Sequence, residues 1–122
     1  MPMIEDPSIG WLARVLDLSV VRSELVMSNM ANIDTPGYRT RDVNFRQELE
    51  RATDGPFEYA ALSPAVHTVQ GLVERPDGNN VSLEREGLLL ADTQLRFNAA
   101  IQLLRDKFKM LNSAIHEGSS TS

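Results

Sequence analysis

The side chains in this sequence that could do covalent, acid–base or metal chemistry are not gathered by their spacing. His67 and His116 stand far apart, and neither has a second histidine at metal-ligand spacing. His116, close to the expected end of a helix, suits a partner for the helix dipole. Cysteine is absent, so disulfides and thiolate metal sites are excluded. Glu84 and Glu86 lie two apart and do not share a helix face. Glu48, Glu50 and Asp54 read as solvated, and Ser28 and Ser63 have no base nearby to activate them. No glycine-rich phosphate loop occurs, and Asp77-Gly78-Asn79 is too short for a calcium loop. The expectation is a protein that is not an enzyme and takes no cofactor, metal or small-molecule substrate.

Composition points the same way. The chain has 122 residues, enough for one domain, and 42% of them are apolar, enough for a core. Aromatic residues make up only 6%, which argues against a large ligand pocket or a base-stacking surface. A net charge of -5 disfavours nucleic acid and anionic lipid as partners. Arg39 and Arg41 come nearest to a basic cluster and read as a solvated loop. Met1 to Gly10 carries Glu5, Asp6 and two prolines, with no basic stretch followed by an apolar run, so it does not read as a cleaved signal peptide. No stretch is long and apolar enough to span a bilayer. Together these features predict a cytosolic protein, or one exported without a cleaved signal.

What remains is a pattern of helices. The sequence predicts a single all-α domain over 1–122: an N-terminal helix and corner (1–38), an irregular, partly extended middle (39–80), a C-terminal helix (81–117) and a flexible tail (118–122). Asp6 and Pro7 suit the cap and first position of the opening helix, which must stop before Pro36. In the middle, Phe45 to Ala52 suits a short helix, Gly55-Pro56 and Ser63-Pro64 are breaks, and Val66 to Glu74 has weak strand character. Ser82 suits the cap of the last helix, with Glu84 and Glu86 against its dipole. That helix is expected to run to about His116, with Gly118 marking its end.

Both long helices are apolar on two sides. In the last, Leu83, Gly87, Leu90, Gln94, Phe97, Ile101, Leu104, Phe108, Leu111 and Ile115 alternate four and three apart, a heptad seam interrupted only by Gly87 and Gln94. Leu88, Leu95, Ala99, Leu103, Met110 and Ala114 form a second row. In the first, Ile9, Leu12, Leu16, Val20, Met27 and Met30 share one side, while Trp11, Leu18, Val21 and Leu25 lie opposite. One face of each helix can pair in a coiled-coil-like hairpin. The other rows would form patches large enough to aggregate unless further copies or the middle segment cover them. Self-association into a tubular assembly is the favoured reading. The alternative is a soluble helical adaptor or export-chaperone module that holds a partner helix in its groove.

The sharpest local string is Ser28-Asn29-Met30-Ala31-Asn32-Ile33-Asp34-Thr35-Pro36-Gly37-Tyr38. Asn29 and Asn32, three apart, can satisfy the last helical carbonyls or the following loop. Thr35-Pro36-Gly37-Tyr38 reads as a type II turn, with Pro36 setting one φ and Gly37 supplying the positive one. Tyr38 is expected to lay its ring on the helix with its hydroxyl in water. The string makes a rigid corner that sets how the chain leaves the helix.

Ser28, Asn29, Asn32, Thr35, Pro36, Gly37 and Tyr38 together match Ser-Asn-x-x-Asn-x-x-Thr-Pro-Gly-Tyr, and the sequence thereby resembles the flagellar axial proteins, the rod and hook subunits. Asp77-Gly78-Asn79-Asn80-Val81-Ser82-Leu83-Glu84-Arg85-Glu86, Leu88-Leu89-Leu90-Ala91 and Gln94-Leu95-Arg96-Phe97-Asn98-Ala99 narrow the resemblance to the proximal rod subunits. Ile101-Gln102-Leu103-Leu104 and Lys107-Phe108-Lys109-Met110-Leu111 continue it. It departs at Gly87, where methionine is expected, and a bend or a tight subunit contact is one reading of that glycine.

The resemblance implies a structural subunit of the proximal rod of the bacterial flagellar basal body, serving motility. It implies type III export without a cleaved signal and assembly in the periplasm. The implied partners are other rod subunits, an adaptor joining the rod to the membrane-embedded ring, and the export apparatus. The terminal helices would line the export channel and transmit torque. The residues expected to carry assembly are Asn29, Asn32, Thr35, Pro36, Gly37 and Tyr38 at the corner, and Phe97, Ile101, Leu104, Phe108 and Leu111 on the last helix.

Overall fold

The structure is a computed structural model that describes residues 7–54 and 63–120. Asp6, Gly55 and Pro56, which carry a predicted cap and a predicted break, lie outside the described residues. The chain is mostly helical. Helix α1 spans Pro7–Ala31, strand β1 Arg41–Val43, helix α2 Phe45–Asp54, strand β2 Val66–Thr68 and helix α3 Leu83–Ser120. The two strands pair antiparallel, with Asp42 opposite His67, so the middle is partly extended as its valines suggested.

Local chemistry explains the boundaries. At the end of α1 the Asn32 side chain donates from Nδ2 to the Ser28 carbonyl at 2.8 Å, an acceptor that it shares with the Asn32 amide at 3.1 Å. Asn44 caps α2 through Oδ1, which accepts the Gln47 amide at 3.0 Å. Ser82 caps α3 as the sequence predicts, its Oγ accepting the Arg85 amide at 3.2 Å. Three boundaries differ: α2 runs on to Asp54 rather than Ala52, β2 takes up only Val66–Thr68 of the expected Val66 to Glu74, and the end of α3 moves. Gly118 is helical rather than a left-handed cap, and α3 continues to Ser120 instead of ending near His116. A glycine costs a helix only about 0.5–1 kcal/mol relative to alanine, too little to stop one without a competing turn.

The long helices run antiparallel, with Asn29 bonded to Glu86 at one end and Leu12, Val15 and Leu18 packed with Ala100 towards the other. Phe45 completes that buried cluster from α2, and Leu16, Leu49 and Leu104 pack against it. Two guanidinium groups approach the Phe45 ring, Arg22 at 5.7 Å and Arg96 at 5.2 Å from its centroid.

The buried faces are not those drawn from the sequence. On α1 the buried positions are Leu12, Arg14, Val15, Leu18, Ser19, Val26 and Asn29, while Val20 and Met27 face out. On α3 the half-buried positions include Leu90, Phe97, Ile101, Leu104 and Leu111, but the fully buried ones are Glu86, Thr93 and Ala100. Leu83, Gly87, Gln94, Phe108 and Ile115 of the expected seam are exposed. The seam is thus turned by one residue, for two reasons. Rotation brings Glu86 against Asn29, and it places the small Ala100 where α1 and Phe45 converge.

Candidate assembly site

The corner after α1 is built as the sequence implies and then locked by a loop distant in the chain. The Tyr38 amide donates to the Thr35 carbonyl at 3.2 Å across Pro36 and Gly37, and Gly37 has φ 76°, the geometry of a type II turn. Thr35 Oγ1 donates to Asn32 Oδ1 at 3.0 Å. Thr35, Pro36 and Gly37 themselves are exposed, whereas Asn29 is fully buried and Asn32 and Tyr38 are half-buried.

Asn29 is the hub. Its Nδ2 donates to the Arg41 carbonyl at 2.9 Å and to Glu86 Oε2 at 3.1 Å. Its Oδ1 accepts the Tyr38 hydroxyl and the Arg41 amide, both at 3.1 Å. Every donor and acceptor site of that amide is therefore used. The Tyr38 hydroxyl is not left in water as expected, because it also lies 3.3 Å from Ser28 Oγ.

The second half of the lock is the loop Arg75-Pro76-Asp77-Gly78-Asn79-Asn80. Asn79, fully buried, donates from Nδ2 to the carbonyls of Asn32 and Thr35, each at 2.9 Å, and accepts the Val81 amide at 2.8 Å. Asn80 Oδ1 accepts the Thr40 amide at 2.7 Å. Arg75 donates to the carbonyls of Ile33 and Val81. The Gly37 amide donates to the Asp77 carbonyl at 2.8 Å. The two turns stack back to back, and Gly78, at φ 88°, leaves little room for a side chain: a Cβ there would sit 3.3 Å from Gly37 Cα. Gly78→Ala is expected to destabilise the fold by about 1–2 kcal/mol, since a left-handed backbone already disfavours any Cβ. Chemical denaturation reads this, and an unchanged midpoint would show that the turns are not in contact.

Buried charge ties the corner to the sheet and both helices. Asp42 on β1 accepts Arg22 Nε and Nη2, each at 3.1 Å, and Arg85 Nη2 at 2.9 Å. Arg85 also donates to Glu86 Oε1 at 2.8 Å, which continues the chain to Asn29. Burial pushes the Asp42 carboxyl up, but the Arg22 hydrogen bonds and charge, the Val43 amide and Arg85 outweigh it and hold the group below its ordinary value. Further along, Arg14 and Arg51 pair with Glu48, whose Oε1 also accepts the Ala65 amide. Glu48 is thus buried and paired, not solvated as the sequence suggested.

The structure gathers Asn29, Asn32, Thr35, Pro36, Gly37 and Tyr38 into this one corner. It does not bring Phe97, Ile101, Leu104, Phe108 and Leu111 to it. Those lie along α3 towards the opposite end, with Phe108 52% exposed. Sequence reasoning missed Asn79, Asn80, Arg22, Asp42, Arg75, Arg85 and Glu86 as partners of the corner. One signal was available: Arg22 and Asn29 are seven apart on α1, in phase with Val15 and Val26 at three-and-four spacing. Polar residues repeating on a buried stripe need partners there. Among the described residues no His, Asp or Glu side chains gather into a group that could hold a metal ion, and no helix is long and apolar enough to cross a membrane.

No family model matches the chain. Curated relatives do. The chain is 34% identical over 119 residues to the flagellar basal body rod protein FlgB of Cereibacter sphaeroides, across 88% of this chain and 92% of that one. The chain belongs to the FlgB family of flagellar basal body rod proteins. It is also 29% identical to the FlgB proteins of Salmonella typhimurium and Escherichia coli, over 93% of this chain and 96% of each of theirs. The protein is accordingly a structural subunit of the flagellar basal body rod, where it acts with other rod components. In this family member, the corner string and the Asp77-to-Glu86 string, far apart in sequence, form one hydrogen-bonded unit.

Proposed function

We propose that the chain is the proximal subunit of the rod and that it polymerises through its terminal helices into part of the export channel and drive shaft. Its work is mechanical and non-catalytic. The observation that carries this reading is apolar surface left open on the long helices. Leu88 and Leu95 are each 69% exposed, and Leu103, Met110, Trp11, Val20 and Met27 are exposed as well. Rows of this length on one chain are a liability unless other subunits cover them.

In this reading the single rod-type domain spans 1–122, and the locked corner holds α1 and α3 at a fixed angle so that their outer rows present constant geometry. Asn29, Asn32, Thr35, Pro36, Gly37 and Tyr38 set that geometry, and Phe97, Ile101, Leu104, Phe108 and Leu111 contribute apolar surface along α3. Gly87 is exposed, and a Cβ there would meet nothing within 4 Å in the single chain, which suits a close approach by another subunit. The partners are an adaptor joining the rod to the membrane ring, the export apparatus and other rod subunits, in the periplasm, reached without a cleaved signal.

Sedimentation across a wide concentration range tests the central claim. Concentration-dependent growth into large species is expected. A compact monomer with a cooperative thermal transition at every concentration would overturn it and favour the adaptor alternative. Phe108→Asp is expected to abolish assembly while moving monomer stability by less than about 0.5 kcal/mol, as for other exposed positions. Normal growth of the variant into polymers would remove Phe108 from the interface.

A further inference from the structure

Positive charge collects in one place on an otherwise acidic chain. The sequence holds 17 Asp and Glu against 12 Lys and Arg. Yet a groove of about 740 Å³, bordered by all three helices and β2, has Arg22, Arg46 and Arg96 in its lining and Glu50 as its one acid among the described residues. Trp11, Phe45 and Leu49 supply its apolar part. Phe45 is buried and Leu49 half-buried, but Trp11 is 43% exposed.

The three guanidinium groups are held in place without being used up. Arg22 donates through Nε and Nη2 to Asp42, Arg46 through Nε to Glu50, and Arg96 through Nε to Asp92. Arg22 Nη1 and both terminal nitrogens of Arg46 and Arg96 have no further hydrogen bond to a described residue. Arg22 and Arg96 also lie against the Phe45 ring, which fixes them at the groove. The Arg46–Glu50 and Arg96–Asp92 pairs are exposed and one helical turn apart. Pairs of that kind contribute little and yield to a carboxylate that offers a guanidinium two oxygens at once.

Trp11 and Arg22 share a face of α1 and stand about 16 Å apart at 1.5 Å per residue. Over that length an inorganic anion neutralises one or two guanidinium groups and offers nothing to Trp11 or Leu49. A stretch of polypeptide with acidic and apolar side chains satisfies both. We infer that the groove receives an acidic segment of another protein, with one large apolar side chain against Trp11 and Leu49 and carboxylates on Arg22, Arg46 and Arg96. Trp11 is the only residue that the groove shares with the open apolar surface named above, so the inference goes beyond the polymer reading and does not depend on it.

Trp11 is the single tryptophan of the chain, so its emission reports on the groove directly. The probe is a short peptide of glutamates around one phenylalanine, added to the dilute full chain. A saturable blue shift of the Trp11 emission is expected. A twin peptide with glutamine for every glutamate should bind at least about tenfold more weakly. Arg46→Glu, at a side chain 90% exposed, should weaken the acidic peptide about tenfold while leaving the melting temperature unchanged. Inorganic phosphate at matched ionic strength should not displace the peptide. Four results each overturn the inference: no saturable change in emission, equal binding of the glutamine twin, unchanged affinity in Arg46→Glu, or full displacement by phosphate. A blue shift that follows the protein's own concentration and that the peptide cannot reverse gives the groove to contacts between copies, and overturns it as well. Sedimentation decides polymerisation separately, so failure here leaves that reading standing.

Discussion

Replacing Asn29 by alanine is expected to cost the fold about 3–5 kcal/mol, because several buried polar groups lose their partner at once. The Arg41 amide and carbonyl, the Tyr38 hydroxyl and one Glu86 oxygen all bond to this single side-chain amide. Domains of this kind are typically stable by roughly 5–15 kcal/mol, so the loss is a large part of the whole. Urea unfolding of the two chains gives the number directly, and a loss under about 1 kcal/mol would mean that water replaces the amide freely. Asn29→Asp is the sharper variant. It keeps the shape but sets a carboxylate against Glu86 Oε2, so it is expected to be worse than alanine at neutral pH and to recover in part on acidification.

Asp42→Asn is expected to cost about 3–5 kcal/mol by leaving two guanidinium groups facing each other around a neutral side chain. Arg22 and Arg85 both pair with that carboxylate, which is almost wholly buried. The pH dependence follows from the lowered value of the Asp42 carboxyl. A group with a folded value below its unfolded one stabilises the fold fully above the unfolded value, and the stabilisation is lost as pH falls through the folded value. The parent chain should therefore hold its urea midpoint near neutrality and lose it in acid, below the ordinary carboxylate range. Over the same range the gap between it and Asp42→Asn should narrow. A gap that stays constant down to strong acid would mean that the charge on Asp42 is not what holds Arg22 and Arg85.

The two variants probe different joints of one unit. Asn29 binds the end of α1 to the start of α3 and to the first residue of β1. Asp42 binds β1 to both helices. A rod subunit that transmits force through helices needs their angle fixed, and hydrogen bonds to buried amides fix angle better than apolar contact, because they are directional. The apolar core around Leu12, Val15, Leu18, Phe45 and Ala100 lies well along the hairpin from the corner, so the corner relies on polar bonds.

Much of this was legible in the residues. Two helices, their caps at Ser82 and the Asn32 end, the type II turn at Pro36 and Gly37, and the family resemblance all rest on local rules, in which a residue acts on neighbours within a few positions. Side chains there carry their own instruction: a proline fixes φ, a glycine frees it, and an amide caps the nearest carbonyl. The short helix after Asn44 and the strand at Val66 were legible for the same reason.

The tertiary structure alone decided which face of each helix is inside. Heptad spacing fixes a stripe but not its phase when two rows are both apolar, and the count of large residues favoured Phe108 and Ile115 over Glu86 and Ala100. What turned the helix was a set of specific partners at long sequence separation: Asn29 for Glu86, Arg85 for Asp42, and Phe45 for Ala100. Periodicity averages over residues and so registers greasiness; a buried carboxylate is placed by one donor at one distance, which becomes visible only once the chain is folded.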